Sequence, residues 1–178
     1  MIVDSHCHLM HENNTELLDK IILNASKNEV FKLLNISTRF DEFGSLIEIS
    51  NNYKNVFCSL GIHPHESHSM NDEIKKIIFD LCKNKKVVGI GETGLDFYYN
   101  NSDRKTQINS FIKHIEIAQE LKQNYGFAVE VVSNPTLDQI DAKLAEYERK
   151  FTNGTFDQKG QLFVFFSGHG LYERGNGY

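Results

Sequence analysis

The order of apolar and amphipathic segments limits most strongly what this chain can fold into. Four short runs of apolar and β-branched residues alternate with helix-like stretches through the first two-thirds of the sequence. The runs cover residues 1–5, 29–37, 55–62 and 86–92, and the helix-like stretches cover residues 14–26, 41–53, 71–84 and 104–122. Strand followed by helix, four times over, predicts βα units around a parallel sheet. We therefore expect an α/β fold.

The last third continues the alternation. Residues 126–134 predict a strand, residues 135–151 predict a helix with Pro135 near its start, and residues 161–167 predict a buried strand. A turn-rich loop at residues 152–160 separates this helix from this strand, and a Gly-rich tail follows. The second part therefore predicts a βαβ arrangement.

Composition and charge exclude several classes of protein. The chain has 178 residues, 40% of them hydrophobic, and a formal net charge of −5. We expect no membrane span, since no apolar run approaches ~20 residues, and the first residues predict no secretion signal. The negative charge argues against a broad electrostatic grip on nucleic acid, although metals or a few placed groups can still meet phosphates. The three cysteines form no close pair, which favours a reducing compartment and a cytoplasmic location.

The first predicted strand ends in two histidines, in the sequence MIVDSHCHL. Residues i and i+2 of a strand point to the same side, so His6 and His8 can aim two imidazoles at one ion while Cys7 faces away. The same pair also arises by chance at strand ends. Alone, the motif leaves metal binding and an ordinary strand end as alternatives.

A second motif, GIHPHE, follows the third predicted strand. It lies at the edge where functional loops gather in α/β folds. His63 and His65 flank Pro64, which restricts the loop, and they can bind a substrate phosphate or assist proton transfer. Such a loop is also common as a structural or solvated element, so this motif alone does not distinguish a functional loop from a structural one.

A third motif, GIGETGLDFY, places Glu92 at the end of the fourth predicted strand. The glycines around it let the backbone approach other groups closely. A carboxylate on the same rim as His6 and His8 can bridge two metal ions, which lower the pKa of a bound water to ~7. Alone, Glu92 can equally be an exposed loop acid. Three such elements at strand ends, in one order, favour a metal site.

Together these motifs, with the segment that runs on to residue 122, resemble the TatD family of metal-dependent deoxyribonucleases. That family has a (β/α) barrel of the amidohydrolase type, with a two-metal centre at the carboxyl rim of the strands. Over residues 1–122 the resemblance therefore implies a partial TIM-type barrel of about four βα units. It also implies DNA as the substrate and two divalent metal ions, Mg, Mn or Zn, as cofactors.

The resemblance assigns roles to individual residues. His6 and His8 are similar in position to the ligands of the first ion, and Glu92 is similar to the bridging carboxylate. His63 matches a family position near the substrate phosphate. Asp4 precedes the histidine pair as it does in the family, where we expect it to support the site.

The resemblance to the family is incomplete. The family continues with strands that carry two further histidines and a metal-binding aspartate, and these motifs do not occur after residue 122. A complete barrel needs about 250 residues. We therefore expect a half-barrel with three of about six ligands and impaired phosphodiester hydrolysis.

Residues 125–178 resemble the first part of a caspase-like or metacaspase peptidase domain. The specific motif is the apolar strand LFVFF running into SGHG. The resemblance implies that His169 is a general base for a cysteine thiolate. The chain ends before the expected cysteine, and Cys7, Cys58 and Cys82 lie outside its motif, so we expect no peptidase activity.

The leading hypothesis is a TatD-like hydrolase that cleaves DNA with metal-activated water. The alternatives are a caspase-like cysteine peptidase fragment and a non-catalytic fusion or truncation product. Two incomplete domains leave apolar edges and faces uncovered, which predicts self-association. If all the predicted strands form one sheet, His169 ends its strand on the rim that carries Glu92 and becomes a surrogate ligand.

Overall fold

Four parallel strands form the centre of the protein. The computed structural model describes residues 2–11, 15–99, 101–125, 137–155, 172–173 and 176–177. The strands are β1 (Ile2–Cys7), β2 (Val30–Ile36), β3 (Val56–Leu60) and β4 (Val87–Ile90). They pair in the order β1-β2-β3-β4, and each pair is parallel. The four predicted strands are thus confirmed, although β4 ends before Glu92.

Helices connect these strands, as the alternation predicts. Three of them link successive strands, and the longest follows β4: α1 (Thr15–Lys27), α2 (Phe43–Asn52), α3 (Asp72–Leu81) and α4 (Arg104–Tyr125). The start of α3 follows the usual capping chemistry, because the side-chain oxygen of Asn71 accepts the N–H of Ile74 at 2.8 Å. Short 3₁₀ turns occupy Leu9–His11, Phe40–Glu42 and Pro64–Ser69.

Among the described residues, apolar side chains from the helices and from β3 form the larger of two core clusters. Leu46 of α2, Leu60 of β3, Ile78 of α3 and Ile117 of α4 are fully buried in it. Burial of each such side chain stabilises the fold by about 1.5–3 kcal/mol. The core therefore holds α2, α3 and α4 firmly around β3.

The strand β1 is less well covered than β3. Ile2 and Val3 are more than half exposed, whereas Val56 and Leu60 are fully buried. The register between β1 and β2 also shifts at two points. Within the described sheet, β1 is thus an edge strand with solvent on much of its surface.

The segments that follow the strands meet at the carboxyl edge of the sheet. The N–H of His63 donates to the carbonyl of Thr38 at 2.8 Å, and the N–H of Glu92 donates to the carbonyl of Ser37 at 3.2 Å. These backbone hydrogen bonds extend the pairing beyond the strands themselves. They bring the polar motifs that follow β2, β3 and β4 onto one rim.

The described part of the second segment is smaller. The helix α5 (Leu137–Thr152) confirms the helix predicted over residues 135–151. The strands β5 (Tyr172–Glu173) and β6 (Asn176–Gly177) pair in antiparallel fashion, so the predicted Gly-rich tail contains a paired β element. Three other predictions lie outside the described residues: the strands at 126–134 and 161–167, and His169.

Candidate metal centre

The two histidines at the end of β1 point their ring nitrogens at one place. The Nε2 atoms of His6 and His8 lie 3.2 Å apart. The Nδ1 of His8 lies 2.8 Å from the carbonyl of Ile36, which can only accept, so Nδ1 carries the proton and Nε2 keeps its lone pair. Metal-binding histidines are usually oriented in this way by a backbone carbonyl or carboxylate. The Asp4 carboxylate accepts the N–H of His6 at 3.0 Å and so braces the strand end.

Glu92 reaches the same place from the segment after β4. Its Oε2 lies 3.4 Å from the Nε2 of His6, and its Oε1 lies 3.5 Å from the Nε2 of His63. The ligand atoms of His6, His8 and Glu92 all lie within 4.8 Å of one another. The structure thus brings together the three residues predicted as ligands.

A close backbone approach sets the position of Glu92. A Cβ atom added to Gly61, just after β3, would lie 2.6 Å from the backbone of Gly91 and 2.7 Å from the carbonyl of Glu92. Side chains do not tolerate such distances from backbone atoms. Glycine at position 61 is therefore what lets the segment that carries Glu92 pass so close to β3.

His63 lies between the ligand group and the rest of the cleft. Its Nδ1 accepts the backbone N–H of His65 at 3.1 Å, so in the neutral ring the proton is on Nε2, facing Glu92. Burial lowers the pKa of His63, and the nearby Glu92 carboxylate opposes this effect. His63 is therefore a candidate hydrogen-bond donor beside the ligands.

A buried carboxylate orients His65. The Nε2 of His65 lies 2.8 Å from the Oδ2 of Asp96, and the other Asp96 oxygen accepts the backbone N–H groups of Tyr98 and Tyr99. Gln107 of α4 holds Asp96 in turn, since its amide both accepts the N–H and donates to the carbonyl of Asp96 at 2.8 Å. Both polar groups are buried, so this network is rigid.

A buried histidine, His114, links α4 to the two site segments. The Nε2 of His114 accepts the N–H of Ile62 at 3.1 Å, which places the ring proton on Nδ1, 2.7 Å from the carbonyl of Ser110. The Nδ1 also lies 3.1 Å from the hydroxyl of Thr93. Ile62 precedes His63 and Thr93 follows Glu92, so His114 contacts both segments. Burial lowers the pKa of His114 to about 4.

Sequence reasoning missed these three supporting residues. His114 lies three residues before Ile117, so both are on the buried face of α4. The helical periodicity of that face would have placed His114 in the core. The short side chain of aspartate commonly accepts hydrogen bonds from the backbone N–H groups two or three residues later in a turn, so the sequence after Asp96 carried a signal for its role. Gln107 carried no comparable signal, because its partners lie in a loop that sequence alone does not position.

The predicted site residues line one open cleft of about 340 Å³. The cleft is lined by His6, His8, Thr38, His63, His65, Glu66 and Glu92. The predicted ligands and the predicted phosphate-binding histidines therefore share one cavity. His169, the remaining predicted site residue, lies outside the described part of the chain.

The three cysteines form no disulfide, and burial makes their thiols poor nucleophiles. Burial raises the pKa of Cys7 and of Cys82 to about 12, and that of Cys58 to about 11. Since the thiolate is the reactive form, these thiols are poor nucleophiles near neutral pH.

In the described residues, each helix is also too short or too polar to cross a membrane.

Two family models match overlapping parts of the chain. The TatD related DNase model matches residues 3–125, and the caspase domain model matches residues 98–178. The first match covers well over half of the chain, and the second covers less than half. Both include α4, so the similarity to caspase domains begins earlier than the sequence motifs indicated.

Curated relatives agree with the first match. The chain is 40% identical over 125 residues to an uncharacterized metal-dependent hydrolase of Buchnera aphidicola subsp. Baizongia pistaciae, an alignment that covers 68% of this chain and 47% of the relative. It is 32% identical over 103 residues to the 3′-5′ ssDNA/RNA exonuclease TatD of Escherichia fergusonii, which covers 58% of this chain and 40% of that relative. The chain thus spans about half the length of the curated relatives that it matches.

A solved structure shows the same fold. The crystal structure of YJJV, a TatD homolog from Escherichia coli, matches with a TM-score of 0.61 and 21% sequence identity, over 67% of this chain and 47% of that one. This likeness supports the βα arrangement around the parallel sheet. Because the family model matches residues 3–125, over half of the chain, this chain belongs to the TatD-related DNase family.

Proposed function

We propose that the chain is a metal-dependent phosphodiesterase that acts on nucleic acid, with DNA as its substrate. The observation that carries this proposal is the convergence of the His6, His8 and Glu92 ligand atoms in one cleft. Homologues named as metal-dependent hydrolases support the metal, and one named as an ssDNA/RNA exonuclease supports the substrate class.

Two of the donor-to-donor distances, both from His6, fit a single divalent ion. Ligand atoms about 2.1 Å from one ion, at angles of roughly 90–110°, lie about 3.0–3.4 Å apart. The His6 nitrogen lies 3.2 Å from that of His8 and 3.4 Å from the Glu92 oxygen. Two imidazoles and a carboxylate suit zinc, manganese and similar ions.

Glu92 offers its two oxygens to different neighbours, as a bridging carboxylate does. Its Oε2 lies 3.4 Å from the Nε2 of His6, and its Oε1 lies 3.5 Å from the Nε2 of His63. We therefore propose a two-ion centre in which Glu92 contributes to both ions. In the family the remaining ligands come from later motifs, which this sequence does not contain.

The chemistry would divide between the ions and the cleft histidines. Such ions, when bound, lower the pKa of a coordinated water so that hydroxide is available near neutrality. The Nε2–H of His63 is placed to donate to a phosphate oxygen beside the ligands. Asp96 holds the His65 ring at the same cleft, so both imidazoles are oriented before substrate arrives.

We expect turnover to be lower than a complete ligand set would give. The later histidine and aspartate motifs of the family are not in the sequence, and the described ligand group has three members. The peptidase alternative has less support, because burial raises the pKa values of all three thiols. Unpaired thiols persist in reducing compartments, so we propose a cytoplasmic location.

Calorimetric titration of the purified protein with Mn²⁺ and with Zn²⁺ tests the proposal. We expect binding to the wild type and loss of at least about 100-fold in affinity for the His6→Ala, His8→Ala double variant, because two of three ligands are gone. His68→Ala is the matched control, since His68 is an exposed histidine outside the cleft. Identical isotherms for the wild type and the double variant would overturn the proposal.

Hydrolysis of a single-stranded oligodeoxynucleotide gives the second readout. Cleavage should require added metal, stop with a chelator and fall in the double variant but not in His68→Ala. Metal binding without cleavage would favour the non-catalytic alternative. Chelator-resistant cleavage of a peptide substrate would favour the peptidase alternative.

A further inference from the structure

We propose that Tyr98 and Tyr99 form a platform on which bases of single-stranded nucleic acid stack as the strand enters the metal cleft. This inference rests on the proposed phosphodiesterase function and adds how the substrate is held. Tyr98 is 80% exposed and Tyr99 is 54% exposed, in consecutive positions. Two consecutive large apolar side chains with such exposure are unusual, because exposed apolar residues are usually scattered singly. Exposed aromatic rings beside a nucleic-acid site are typical of base stacking.

The two rings are continuous with the cleft. The ring centroid of Tyr98 lies 4.8 Å from that of Tyr99, and Tyr99 lies 5.6 Å from His65. His65 in turn lies 4.5 Å from His63, next to Glu92. A row of rings therefore leads from the ligand group to the protein surface, and a strand whose phosphate occupies the cleft would pass its neighbouring bases along this row.

The geometry of the row leaves ring faces open. Each successive pair is edge-to-face, with interplanar angles of 79° between His65 and Tyr99 and 85° between Tyr99 and Tyr98. Rings packed in this way do not cover each other's faces as a parallel stack would. The high exposure of Tyr98 thus includes π-surface that a base can cover.

The backbone that carries the platform is fixed before any ligand binds. One oxygen of Asp96 accepts the N–H groups of Tyr98 at 3.1 Å and Tyr99 at 3.2 Å, and Gln107 clamps Asp96 from α4. The other oxygen of Asp96 holds His65. One buried carboxylate therefore sets both the cleft histidine and the platform, which lowers the conformational entropy lost when a strand binds.

Charge favours the nucleic-acid strand over an apolar partner. The Arg104 guanidinium lies 4.0 Å from the ring centroid of Phe97, the residue before the platform, and is exposed. An exposed arginine beside aromatic rings can meet both phosphates and bases. With a net charge of −5, the protein lacks a general attraction for polyanions, so stacking would supply much of the affinity.

Calorimetric binding without metal tests the platform while preventing cleavage. The probes are a short oligothymidylate and an abasic chain of the same length, which has the same phosphates and no bases. We expect the wild type to prefer oligothymidylate by about 5- to 150-fold, as stacking of a single base gives. Equal affinity for the two probes would overturn the proposal.

Variants locate the preference on the platform. Tyr98→Ala should lose about 5-fold or more of the preference and Tyr98→Phe should keep it, because phenylalanine retains the ring. Phe31→Ala is the matched control, since Phe31 is a half-exposed aromatic near the amino end of β2, away from the cleft. Urea unfolding of each variant verifies folding. A preference unchanged in the Tyr98→Ala, Tyr99→Ala double variant would overturn the proposal.

A further signature reports stacking directly. The chain has no tryptophan, so its intrinsic fluorescence comes from its seven tyrosines. Oligothymidylate, but not the abasic chain, should quench the wild type, with less quenching in Tyr98→Phe. If instead the wild type forms dimers that Tyr98→Ala abolishes, and nucleic acid leaves the fluorescence unchanged, the patch is a contact between copies of the chain.

Cleavage of the abasic chain separates this proposal from the function on which it rests. Metal-dependent cleavage of the abasic chain without any base preference in binding would remove the platform and leave the phosphodiesterase. Base preference without metal-dependent cleavage of either probe would remove the phosphodiesterase and leave a single-strand binding surface.

Discussion

The two sides of the cleft are built differently. His6 lies on β1 with 53% of its side chain exposed, whereas His63 on the opposite side is 24% exposed. On the β1 side, His8 is tied to the backbone carbonyl of Ile36. On the other side, His65 is tied to buried Asp96, and buried His114 holds the adjoining backbone.

This difference indicates which part of the site depends on metal. His6 and His8 bring their Nε2 atoms within 3.2 Å of each other and close to the Glu92 carboxylate, a donor group that an ion would stabilise. On the other side, the backbone N–H of His65 orients His63 and Asp96 orients His65, so both rings are held without an ion. We infer that metal binding completes the β1 side, while the β3–β4 side is rigid before it.

The largest effect should come from the close approach between the β3 and β4 segments. Gly61→Ala should destabilise the fold by about 3 kcal/mol, because the new Cβ would lie 2.6 Å from the backbone of Gly91. Equilibrium urea unfolding measures this, with Gly44→Ala as the control, since a Cβ there meets nothing within 4 Å. Equal stability of the two variants would show that the β3–β4 side is not rigidly packed.

The pH dependence of stability should expose the buried histidine on the rigid side. The pKa of His114 is about 4 in the folded protein and 6.5 ordinarily, so the unfolded chain takes up the proton first as the pH falls. His114 therefore contributes stability that is complete above pH 6.5 and is lost as the pH falls towards 4. This difference between the two pKa values corresponds to about 3 kcal/mol in the free energy of unfolding.

Comparison with His114→Gln isolates this contribution. Glutamine keeps an acceptor for the Ile62 N–H but does not titrate. The difference in unfolding free energy between the two proteins should shrink by about 3 kcal/mol from pH 7 to pH 4, since other titrating groups are common to both. A difference that stays constant with pH would mean that His114 is not buried in its neutral form.

Metal should stabilise the protein through the ligand group and not through the neighbouring His65. At an ion concentration of about 100 times the dissociation constant, the free energy of unfolding should rise by about 2.7 kcal/mol. His65→Gln should keep this gain, because His65 is held by Asp96 and is not in the ligand group. The His6→Ala, His8→Ala variant should lose it. Loss of the gain in His65→Gln would contradict the division between the two sides.

The sequence predicted the residues that line the cleft better than the buried residues that support them. His6, His8 and Glu92 were predictable because strand alternation and strand order bring i and i+2 residues to a common rim. The sequence predicts close backbone approach at the glycines around Glu92, and the structure adds Gly61, where a Cβ would lie 2.6 Å from the backbone of Gly91. Such spacing depends on how two loops pass each other, which periodicity does not encode.

The fold was predictable for a similar reason. Four strands and their helices follow from local hydrophobic patterns, and α5 followed from the same rule in the second part. The partners of Asp96 and His114 come from α4, far along the chain, so only tertiary packing reveals them. Buried polar networks are thus the part of the site that local pattern predicts least.

The smallest effect concerns the uncovered strand. Val3 of β1 is 54% exposed and Val56 of β3 is fully buried. The same substitution, valine to threonine, made at each position therefore compares the two environments. Val56→Thr should destabilise the protein by about 2 kcal/mol through its buried hydroxyl, whereas Val3→Thr should change stability by less than about 0.5 kcal/mol. Urea unfolding at low protein concentration measures both.

A large effect at Val3 would change the comparison itself. If Val3→Thr costs as much as Val56→Thr, β1 is covered in solution and the looser side of the cleft is an interface. Self-association through uncovered sheet, which the sequence predicts, would then be the cause, and the cost of Val3→Thr would grow with protein concentration. Sedimentation at two concentrations distinguishes this from a covered monomer, because only a dimer would lose mass on dilution. The ligand histidines would in that case owe their order to a second copy as well as to an ion.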